Sequence, residues 1–496
     1  MAVKVDTQKE IIFGSSNPNI SRVISKKEKD GELRKLAPRI YTTNLIDSPA
    51  NIVRRNLIEI LAYRYPNALI SHRSAKEMRP TSTGDFFLTN STTRRVTDLP
   101  GIILNFVKGP KATAHDIPFM GIHISGEHRY MLENMQLSRK SGDESRVLPI
   151  SVIENKLEQL LLTGGEERLN QYRDELREVA NELGMADEFS KINNIISALL
   201  STHDARVLST DSAKARASGN PFDANRVGLF EILFDTIKDR YFVIRNNRNT
   251  DEDSFRLFSF FESYFSNYIE GTEFDIEEAK EIVDSGIPMP RRDEDSHDIL
   301  GTFKILSNRT EMRRVPTSPE ELFAILSHRH TILLEGRPHM NPGAFKMRNN
   351  RAGQTEFVDY QLVKGTLSQG FKYYSALTDP FARAIFMMFM ISEVHPFNDG
   401  NGRIARVMMN AEFVRANQSR IIVPTVFRED YILALRKLTR HKDPMAYINV
   451  MTKLHQFSDN LYGTDFTELK NYLAACNAYE EPSQAKLQII DRSIRH

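Results

Sequence analysis

The sequence predicts a mixed α/β N-terminal region followed by a mainly α-helical remainder. Short β-prone runs bounded by turn residues, at residues 101–107 (GIILNFV) and 118–125 (PFMGIHIS), lie within the first 150 residues. From about residue 151 apolar side chains recur at helical spacing, first in residues 153–162 (IENKLEQLLL) and then almost to the end of the chain. The apolar run at residues 384–391 (AIFMMFMI) is typical of a buried helix.

The composition is that of a globular protein. Hydrophobic residues make up 40% of the 496 residues and charged residues 26%, which excludes a largely disordered or low-complexity chain. The chain has 66 Lys and Arg and 65 Asp and Glu, so its formal net charge is +1. A charge this small provides no chain-wide attraction to nucleic acid, and any basic patch must be local.

The length corresponds to about two to four domains. A polar, Ser/Asp/Gly-rich stretch at residues 202–221 is the best candidate for a linker. The predicted parts, in chain order, are a mixed α/β domain at 1–150, a helical connector and linker at 151–230, a helical segment at 231–285, a helical domain at 286–460 and a helical tail at 461–496.

Several features predict a soluble cytoplasmic protein. The single cysteine, Cys476, excludes an internal disulfide and a thiolate metal cage. The N-terminal residues lack the apolar core of a signal peptide. The strongest apolar run is far shorter than the ~20 residues that span a bilayer. We therefore expect no membrane partner.

One segment, residues 395–406 (HPFNDGNGRIAR), combines groups suited to phosphate chemistry. Pro396 disfavours helical geometry in His395, so the preceding helix should end there. Gly400 and Gly402 permit a tight turn, and a helix resumes at Arg403. The unpaired N–H groups at the start of that helix would attract an anion, above all a phosphate.

Charged side chains surround this helix start. Arg403 and Arg406 are three residues apart and share a helical face, and guanidinium groups suit phosphate oxygens. Asp399 is a hard oxygen ligand suited to Mg²⁺ shared with phosphates. His395 can accept a proton near neutral pH and so activate a hydroxyl group. The alternative is a glycine-rich turn with incidental charges, but too many specified residues coincide for chance to explain them.

This segment resembles the signature of Fic-domain proteins, His-x-Phe-x-Asp/Glu-Gly-Asn-Gly-Arg-x-x-Arg, at every specified position. The resemblance implies a mainly α Fic fold in the C-terminal half with a small β-hairpin flap. It also implies transfer of AMP from ATP to a hydroxyl side chain of a target protein, with release of pyrophosphate. Family branches that transfer phosphate tend to carry lysine at the position of Gly402, so glycine there favours nucleotidyl transfer.

The same resemblance assigns a role to each residue of the segment. His395 would be the general base, Phe397 would anchor the loop in the core and Asp399 would hold Mg²⁺. Arg403 would bind the outer phosphates of ATP, and Arg406 its γ-phosphate. The residues that would line the phosphate cradle are Gly400, Asn401 and Gly402.

A second segment, residues 266–271 (SNYIEG), ends an aromatic-rich helical run that begins near residue 255. Ser266 and Glu270 share a helical face, and Gly271 is a natural helix stop. Negative charge in a last turn is unfavourable, which indicates either a cationic partner or an exposed side chain. The segment resembles the inhibitory helix of Fic proteins, Ser/Thr-x-x-x-Glu-Gly/Asn, in the class where it precedes the core motif. That resemblance implies an ion pair between Glu270 and Arg406 that inhibits ATP binding.

Residues 341–358 resemble the segment that leads into the family's flap, a hairpin whose edge aligns the target protein. Thr355, Glu356 and Phe357 are the candidates for this alignment. A surface hairpin with no role is the alternative. His328, His330 and His339 have a spacing that fits no common metal-ligand pattern, so we expect them to be surface or flap residues.

The N-terminal residues 20–42 predict a short helix, a turn at Gly31 and two short strands. They resemble the last helix and wing of a winged-helix domain, and together with residues 69–74 and 86–89 they are similar to abortive-infection antitoxin-type regulators. This resemblance implies DNA binding. The alternative is a charged hairpin in a protein-recognition domain. The seven basic residues of the stretch are Arg22, Lys26, Lys27, Lys29, Arg34, Lys35 and Arg39.

Three functional hypotheses follow. The first is a Mg²⁺- and ATP-dependent protein adenylyltransferase, inhibited by Glu270, that modifies a target protein and can also modify itself. The second is a DNA-binding regulator whose Fic domain acts as a sensor. The third is a hydrolase that uses Glu270 to orient a water molecule and remove AMP.

Overall fold

The computed structural model describes residues 9–200, 205–290, 292–353 and 355–492. Within them the chain divides into two compact units, residues 1–218 and 219–496. Parts of the predicted N-terminal domain (1–8), linker (202–204) and tail (493–496) lie outside the described residues.

The first unit contains nine strands and eight helices among the residues that the structure describes. The strands are β1 (Ile11–Phe13), β2 (Arg34–Ala37), β3 (Ile40–Thr42), β4 (Leu69–Ile70), β5 (Asp85–Asn90), β6 (Arg94–Leu99), β7 (Ile102–Lys108), β8 (Ile117–Phe119) and β9 (Ile122–Ile124). The helices are α1 (Pro18–Lys29), α2 (Pro49–Arg55), α3 (Leu57–Arg64), α4 (His72–Glu77), α5 (Glu127–Glu133), α6 (Ile150–Leu183), α7 (Ala186–Leu199) and α8 (Asp211–Ala217).

The strands of this unit form two sheets. The small sheet has the order β1-β3-β2 and is antiparallel, with Ile12, Ile24 and Leu33 forming a small core between it and α1. The larger sheet has the order β6-β7-β5-β4-β9-β8 and mixes parallel and antiparallel pairs. The mixed α/β architecture predicted for the N-terminal region is therefore confirmed.

The second unit is helical apart from one hairpin. Its helices are α9 (Ala224–Ile237), α10 (Glu252–Ile269), α11 (Ile276–Ser285), α12 (Asp293–Leu306), α13 (Arg309–Met312), α14 (Pro319–Leu333), α15 (Val363–Ala376), α16 (Pro380–Val394), α17 (Asn401–Arg415), α18 (Arg428–His441), α19 (Pro444–Ser458) and α20 (Phe466–Ala475). The hairpin pairs β10 (Arg351–Ala352) with β11 (Thr355–Glu356). The predicted mainly helical C-terminal half with a small hairpin is confirmed.

Helices α16 and α17 form the centre of the second unit. Asp379 caps α16 by accepting the N–H of Ala382, and Pro380 begins the helix, as expected at a first helical position. The apolar run predicted to be buried, residues 384–391, is fully buried in α16. No helix among the described residues combines the length and the apolar character needed to cross a membrane.

Candidate active site

The motif of residues 395–406 forms the tight turn between α16 and α17 and the first residues of α17, which begins at Asn401. His395 adopts a left-handed conformation (φ 52°) that ends α16, in line with the restriction that Pro396 imposes. Phe397 is fully buried and anchors the loop. Asn401 closes the turn, because its side chain accepts the N–H of Phe397 and donates to the C=O of Phe397, both at 2.9 Å.

The start of α17 is arranged to receive negative charge. Gly400 precedes the helix with a φ of 71°, a conformation that favours glycine. A Cβ atom placed on Gly402 would lie 2.2 Å from Oε1 of Glu270. The Glu270 carboxylate therefore packs directly against the first turn of α17, where the helix dipole favours an anion.

Glu270 and Ser266, both from α10 or its end, hold the guanidinium group of Arg406. Nη2 of Arg406 donates to Oε1 of Glu270 at 2.7 Å and to the C=O of Ser266 at 2.8 Å, and its Nε donates to Oγ of Ser266 at 2.9 Å. Arg406 is almost fully buried, whereas about a third of the Glu270 side chain (33%) is exposed. Burial alone would raise the pKa of Glu270, but the Arg406 charge and hydrogen bond hold it below its usual value.

Arg403 is directed toward a different carboxylate. Its Nη1 lies 2.7 Å from Oδ2 of Asp298 and 3.3 Å from Oδ1 of Asn267, and its Nη2 lies 3.9 Å from Oδ2 of Asp399. The Asp298 carboxylate also accepts from Arg337 at 2.7 Å. The two motif arginines thus project from one helix but contact separate carboxylates, Glu270 and Asp298. The sequence reasoning missed Asp298, since it lies about 100 residues away on α12 with no local motif.

His395 has the geometry of a general base. Its Nδ1 lies 3.1 Å from the C=O of Ser392, and because a carbonyl only accepts, Nδ1 carries the proton and Nε2 is the basic nitrogen. The imidazole stacks on the ring of Phe357, with centroids 3.6 Å apart and planes 3° from parallel. Burial lowers the pKa of His395 to about 4, so the ring is neutral at physiological pH.

The hairpin predicted as a flap lies beside this histidine. Thr355 and Glu356 form strand β11, and Phe357 follows it and stacks on His395. The N–H of Phe357 donates to the C=O of Asn350 at 3.3 Å. Residue 354, at the tip of the predicted flap segment, lies outside the described residues.

A buried lysine that the sequence reasoning missed supports the base of the flap. Nζ of Lys346 donates to Oδ1 of Asn350 at 2.6 Å and to the C=O of Val394 at 3.4 Å. Nδ2 of Asn350 in turn donates to the C=O of Phe397 at 2.9 Å. Burial lowers the pKa of Lys346 to about 8. These contacts tie the flap segment to the motif loop.

The expectation that all three histidines of the 328–339 region are surface or flap residues is wrong for His330. His330 is fully buried and stacks on Phe397, with ring centroids 3.7 Å apart. Its Nδ1 accepts the N–H of Gly343 at 2.9 Å, so its Nε2 carries the proton and donates to the C=O of Asp399 at 3.0 Å. His328 and His339 are exposed, as expected.

Helical spacing could have revealed this buried position. His330 lies four residues after Leu326 and three before Leu333, and both leucines are buried on the inner face of α14. An imidazole on that face must either be hydrogen-bonded or be costly to bury. His330 satisfies this requirement by bridging the motif loop at Asp399 and the segment at Gly343.

The start of α17 thus lies beside two arginines, the partly exposed carboxylate of Asp399 and the neutral imidazole of His395 at the end of α16. A helix N-terminus with such neighbours is suited to a phosphate group. Residues 318–412 match the model of the Fic/DOC family. This part of the chain is therefore a Fic domain.

Curated relatives and solved structures carry the same family name. The chain is 30% identical over 115 residues to Protein adenylyltransferase fic-1 of Caenorhabditis elegans, covering 23% of this chain and 22% of that relative. It is 24% identical over 216 residues to Protein adenylyltransferase Fic of Nematostella vectensis, covering 40% and 47%. The matches span from about a fifth to about half the length of these two relatives. A solved structure of Fic-1 from C. elegans superposes with a TM-score of 0.36 at 17% identity, covering 66% of this chain and 92% of that one.

Proposed function

We propose that the Fic domain is a protein adenylyltransferase that transfers AMP from ATP to a hydroxyl side chain of a target protein. The observation that carries this proposal is the neutral imidazole of His395 beside a helix N-terminus to which Arg403 and Arg406 contribute positive charge. A triphosphate tail suits such a helix start, and guanidinium groups suit its outer phosphates. The names of the curated relatives support the same activity.

The proposed reaction follows from the tautomer of His395. Nε2 takes the proton of the acceptor hydroxyl, and the resulting oxygen attacks the α-phosphorus of ATP. The bond between the α-phosphorus and the oxygen that bridges to the β-phosphorus breaks, and its electron pair leaves with pyrophosphate. The products are a phosphodiester of AMP on the target and pyrophosphate, so atoms and charge balance. The helix N-terminus and the arginines stabilise the negative charge that the leaving group gains.

Asp399 is the residue that would hold Mg²⁺. Its carboxylate is partly exposed, with an exposed side-chain fraction of 39%, and its Oδ1 accepts the N–H of Gly400. Mg²⁺ in nucleotide sites is commonly held by one or two carboxylates together with substrate phosphates and water, and a single exposed Asp at the phosphate cradle fits that pattern. The ion would neutralise phosphate charge.

We further propose that Glu270 inhibits the enzyme. Its carboxylate lies against Gly402 and pairs with Arg406, so it occupies both the helix N-terminus and the arginine that a terminal phosphate needs. A carboxylate and a phosphate cannot share that place, because like charges at van der Waals distance repel strongly. ATP would then bind productively only after Glu270 withdraws.

The experiment that tests the activity uses ATP labelled on the α-phosphate, with Mg²⁺. We expect label to appear on protein with the Glu270→Gly variant and to disappear when His395→Ala is added. Label at the α-phosphate separates AMP transfer from phosphate transfer, which would require label at the γ-phosphate. Protein labelling from γ-labelled ATP, with none from α-labelled ATP, would overturn the assignment.

The same carboxylate supports a second candidate reaction, removal of AMP from a modified protein. The Arg406 charge holds the pKa of Glu270 below its usual value, so the carboxylate that packs on Gly402 is ionised. A carboxylate so placed can orient a water molecule for attack on the phosphodiester. To test this reaction, the Glu270→Gly protein is first labelled with AMP and then mixed with wild type. Loss of the label that requires Glu270 supports the reaction, and a stable label excludes it.

The N-terminal unit offers a surface suited to DNA. Arg22, Lys26 and Lys29 are exposed on α1 at positions i, i+4 and i+7, so they form one basic stripe. Helix α1 is followed by the β2-β3 hairpin, the arrangement that the resemblance to a winged helix predicts. A phosphate backbone would bind such a stripe with an affinity that falls steeply as salt increases. Absence of duplex DNA binding at low salt would remove this candidate in favour of a protein-recognition domain.

A further inference from the structure

A chain of hydrogen bonds connects the flap to the helix that ends at His395. Arg226, in the first turn of α9, donates from Nη2 to the C=O of Glu356 at 2.5 Å and from Nη1 to the Glu393 carboxylate. Glu393 lies on α16, two residues before His395, and also accepts from the hydroxyl of Thr439 at 2.5 Å. The guanidinium group of Arg226 therefore contacts both the backbone of the flap and helix α16, which ends at His395.

The register of the hairpin shows which edge of the flap Arg226 contacts. The N–H of Phe357 donates to the C=O of Asn350, so the backbone groups of Phe357 face strand β10. Successive residues of a strand direct their backbone groups to opposite sides, so the C=O of Glu356 faces away from β10. Arg226 thus binds the outer edge of β11, the edge of the hairpin that does not pair with β10.

The arginine is itself held firmly. Its side chain is 14% exposed and that of Glu393 is 7% exposed, so the ion pair is largely shielded from solvent. Asp223 caps α9 by accepting the N–H of Arg226, and the N–H of Asp223 donates to Oγ1 of Thr366 at 2.9 Å. The start of α9, which carries Arg226, is therefore held in place by its cap and by Thr366. Helix α16, which carries Glu393, is capped by Asp379.

The flap needs such an external anchor. Its two strands have two residues each, and a short isolated hairpin is marginally stable at best in water. Lys346 and Asn350 hold the base of the hairpin on the β10 side. On the β11 side the backbone contact comes from Arg226, and Arg440 adds a hydrogen bond to the Thr355 hydroxyl at 3.0 Å.

We propose that Arg226 is a positioning residue that fixes the outer strand of the flap relative to His395 and thereby places the acceptor hydroxyl of the target. Its effect on catalysis rests on the proposed adenylyltransferase activity, whereas its effect on the flap does not. Arg226 touches neither ATP nor the reacting atoms in this proposal. It acts through the Glu356 backbone and through the neighbouring Phe357 ring, which stacks on His395.

The choice of variants separates the flap contact from folding. Arg226→Ala removes both hydrogen bonds and leaves Glu393 buried without its cation, which can destabilise the unit. Arg226→Lys keeps a cation for Glu393, but a single ammonium group cannot reproduce the forked contact with the Glu356 C=O. Arg436→Ala, an exposed arginine on α18, is the matched control.

The first measurement is amide hydrogen exchange of the full chain, followed in peptides that contain residues 355–358. We expect exchange there to be about tenfold faster in Arg226→Lys than in wild type, as the loss of one charge-assisted hydrogen bond predicts. Arg436→Ala should match wild type. Equal exchange in wild type and Arg226→Lys, or faster exchange spread equally over the whole second unit, would overturn the positioning role.

The second measurement is labelling with α-labelled ATP in the Glu270→Gly background, so that inhibition does not mask the effect. We expect Arg226→Lys to lower kcat by about tenfold and to leave the KM for ATP unchanged, because the flap aligns the acceptor and not the nucleotide. An unchanged kcat, or a rise in the KM for ATP, contradicts the proposal. If Glu270→Gly itself transfers no label, the adenylyltransferase proposal fails and the exchange measurement alone decides the role of Arg226.

Discussion

The carboxylate of Glu270 lies 2.7 Å from Nη2 of Arg406, although the two residues are 136 positions apart in the chain. The same carboxylate packs on Gly402 in the first turn of α17. One acidic side chain therefore contacts both features that make this site suitable for a triphosphate, the arginine and the helix N-terminus.

Replacement of Glu270 by glycine should increase AMP transfer by about ten- to hundredfold, as the loss of a charge-assisted hydrogen bond that competes with ATP predicts. The measurement is the initial rate of protein labelling by α-labelled ATP at a fixed Mg²⁺ concentration. Glu273→Gly is the matched control, because Glu273 is an exposed acid three residues further along the chain. Equal rates in wild type and Glu270→Gly would refute inhibition by Glu270.

Replacement of Gly402 by alanine should destabilise the wild-type protein more than the Glu270→Gly protein. The added Cβ would lie 2.2 Å from Oε1 of Glu270, a clash that disappears when that carboxylate is removed. We expect a coupling free energy of about 1–3 kcal/mol between the two positions. Denaturant unfolding of wild type, both single variants and the double variant measures it. Additive effects would show that Glu270 does not pack on Gly402 in solution.

The pH dependence of AMP transfer should reveal the lowered pKa of His395. Its pKa of about 4 keeps the basic Nε2 free of a proton until the pH falls to that value. In the Glu270→Gly background we expect kcat/KM to stay flat as the pH is lowered from about 8 to about 5, whereas an unperturbed histidine would lose activity near pH 6.5. A limb near pH 6.5 would show that His395 is exposed to solvent.

The lowered pKa values of two histidines predict how the stability of the protein depends on pH. Burial lowers the pKa values of His395 and His330 to about 4, below the unfolded value of ~6.5. Between these two values the unfolded chain binds more protons than the folded chain, so the free energy of unfolding decreases as the pH falls through this window. Denaturant unfolding at pH 7 and pH 5 measures the decrease. The double variant His330→Phe, His395→Phe should show a smaller decrease, and the part that remains is expected from His455, whose pKa burial also lowers to about 4.

Replacement of His330 by phenylalanine should lower the free energy of unfolding by about 2 kcal/mol, because two buried backbone groups lose their partners while the stacked ring is kept. Those groups are the N–H of Gly343 and the C=O of Asp399. Thermal unfolding measures the change. His328→Phe, at an exposed position on the same helix, should leave stability within about 0.5 kcal/mol of wild type. An equal loss of stability in both variants would mean that the hydrogen bonds of His330 to Gly343 and Asp399 do not stabilise the protein.

Replacement of Asp399 by alanine should raise the Mg²⁺ concentration needed for half-maximal labelling, because the hard oxygen ligand at the phosphate cradle is lost. Labelling rates measured across a Mg²⁺ titration in the Glu270→Gly background test this expectation. Asn398→Ala, at the preceding exposed position, is the control. Identical titration curves for Asp399→Ala and its background would place the metal on other groups.

Local features of the site were accessible to sequence reasoning because they depend on neighbouring residues. Pro396 predicted the end of α16 at His395, and Gly400 predicted the turn before α17. The predicted helix start at Arg403 was two residues too late, because α17 begins at Asn401 and includes Gly402. The resemblance of residues 395–406 to the Fic signature led to a Fic domain, which the family match over residues 318–412 shows. Without the resemblance to Fic proteins, the helix-dipole argument allowed two interpretations of Glu270: an ion pair with a cationic partner, or an exposed side chain.

The misplaced histidine shows where this reasoning failed. Spacing among His328, His330 and His339 was compared with metal-ligand patterns, whereas the inner face of α14 determines which of them is buried. Asp298 and Lys346 were missed for a related reason, since a charged side chain is usually exposed and only its three-dimensional neighbours make its burial favourable.

The sequence by itself determined the helix ends, the turn that exposes the start of α17 and the chemistry of the motif side chains, because each depends on backbone preferences within a few residues. The resemblance of residues 266–271 to an inhibitory helix implied the pair of Glu270 and Arg406, which the structure contains. Only the tertiary structure decided which carboxylates the other two arginines contact: Asp298 for Arg403 and Glu393 for Arg226. The physical reason is that helical periodicity specifies which face of a helix is buried, but not which distant helix packs against that face.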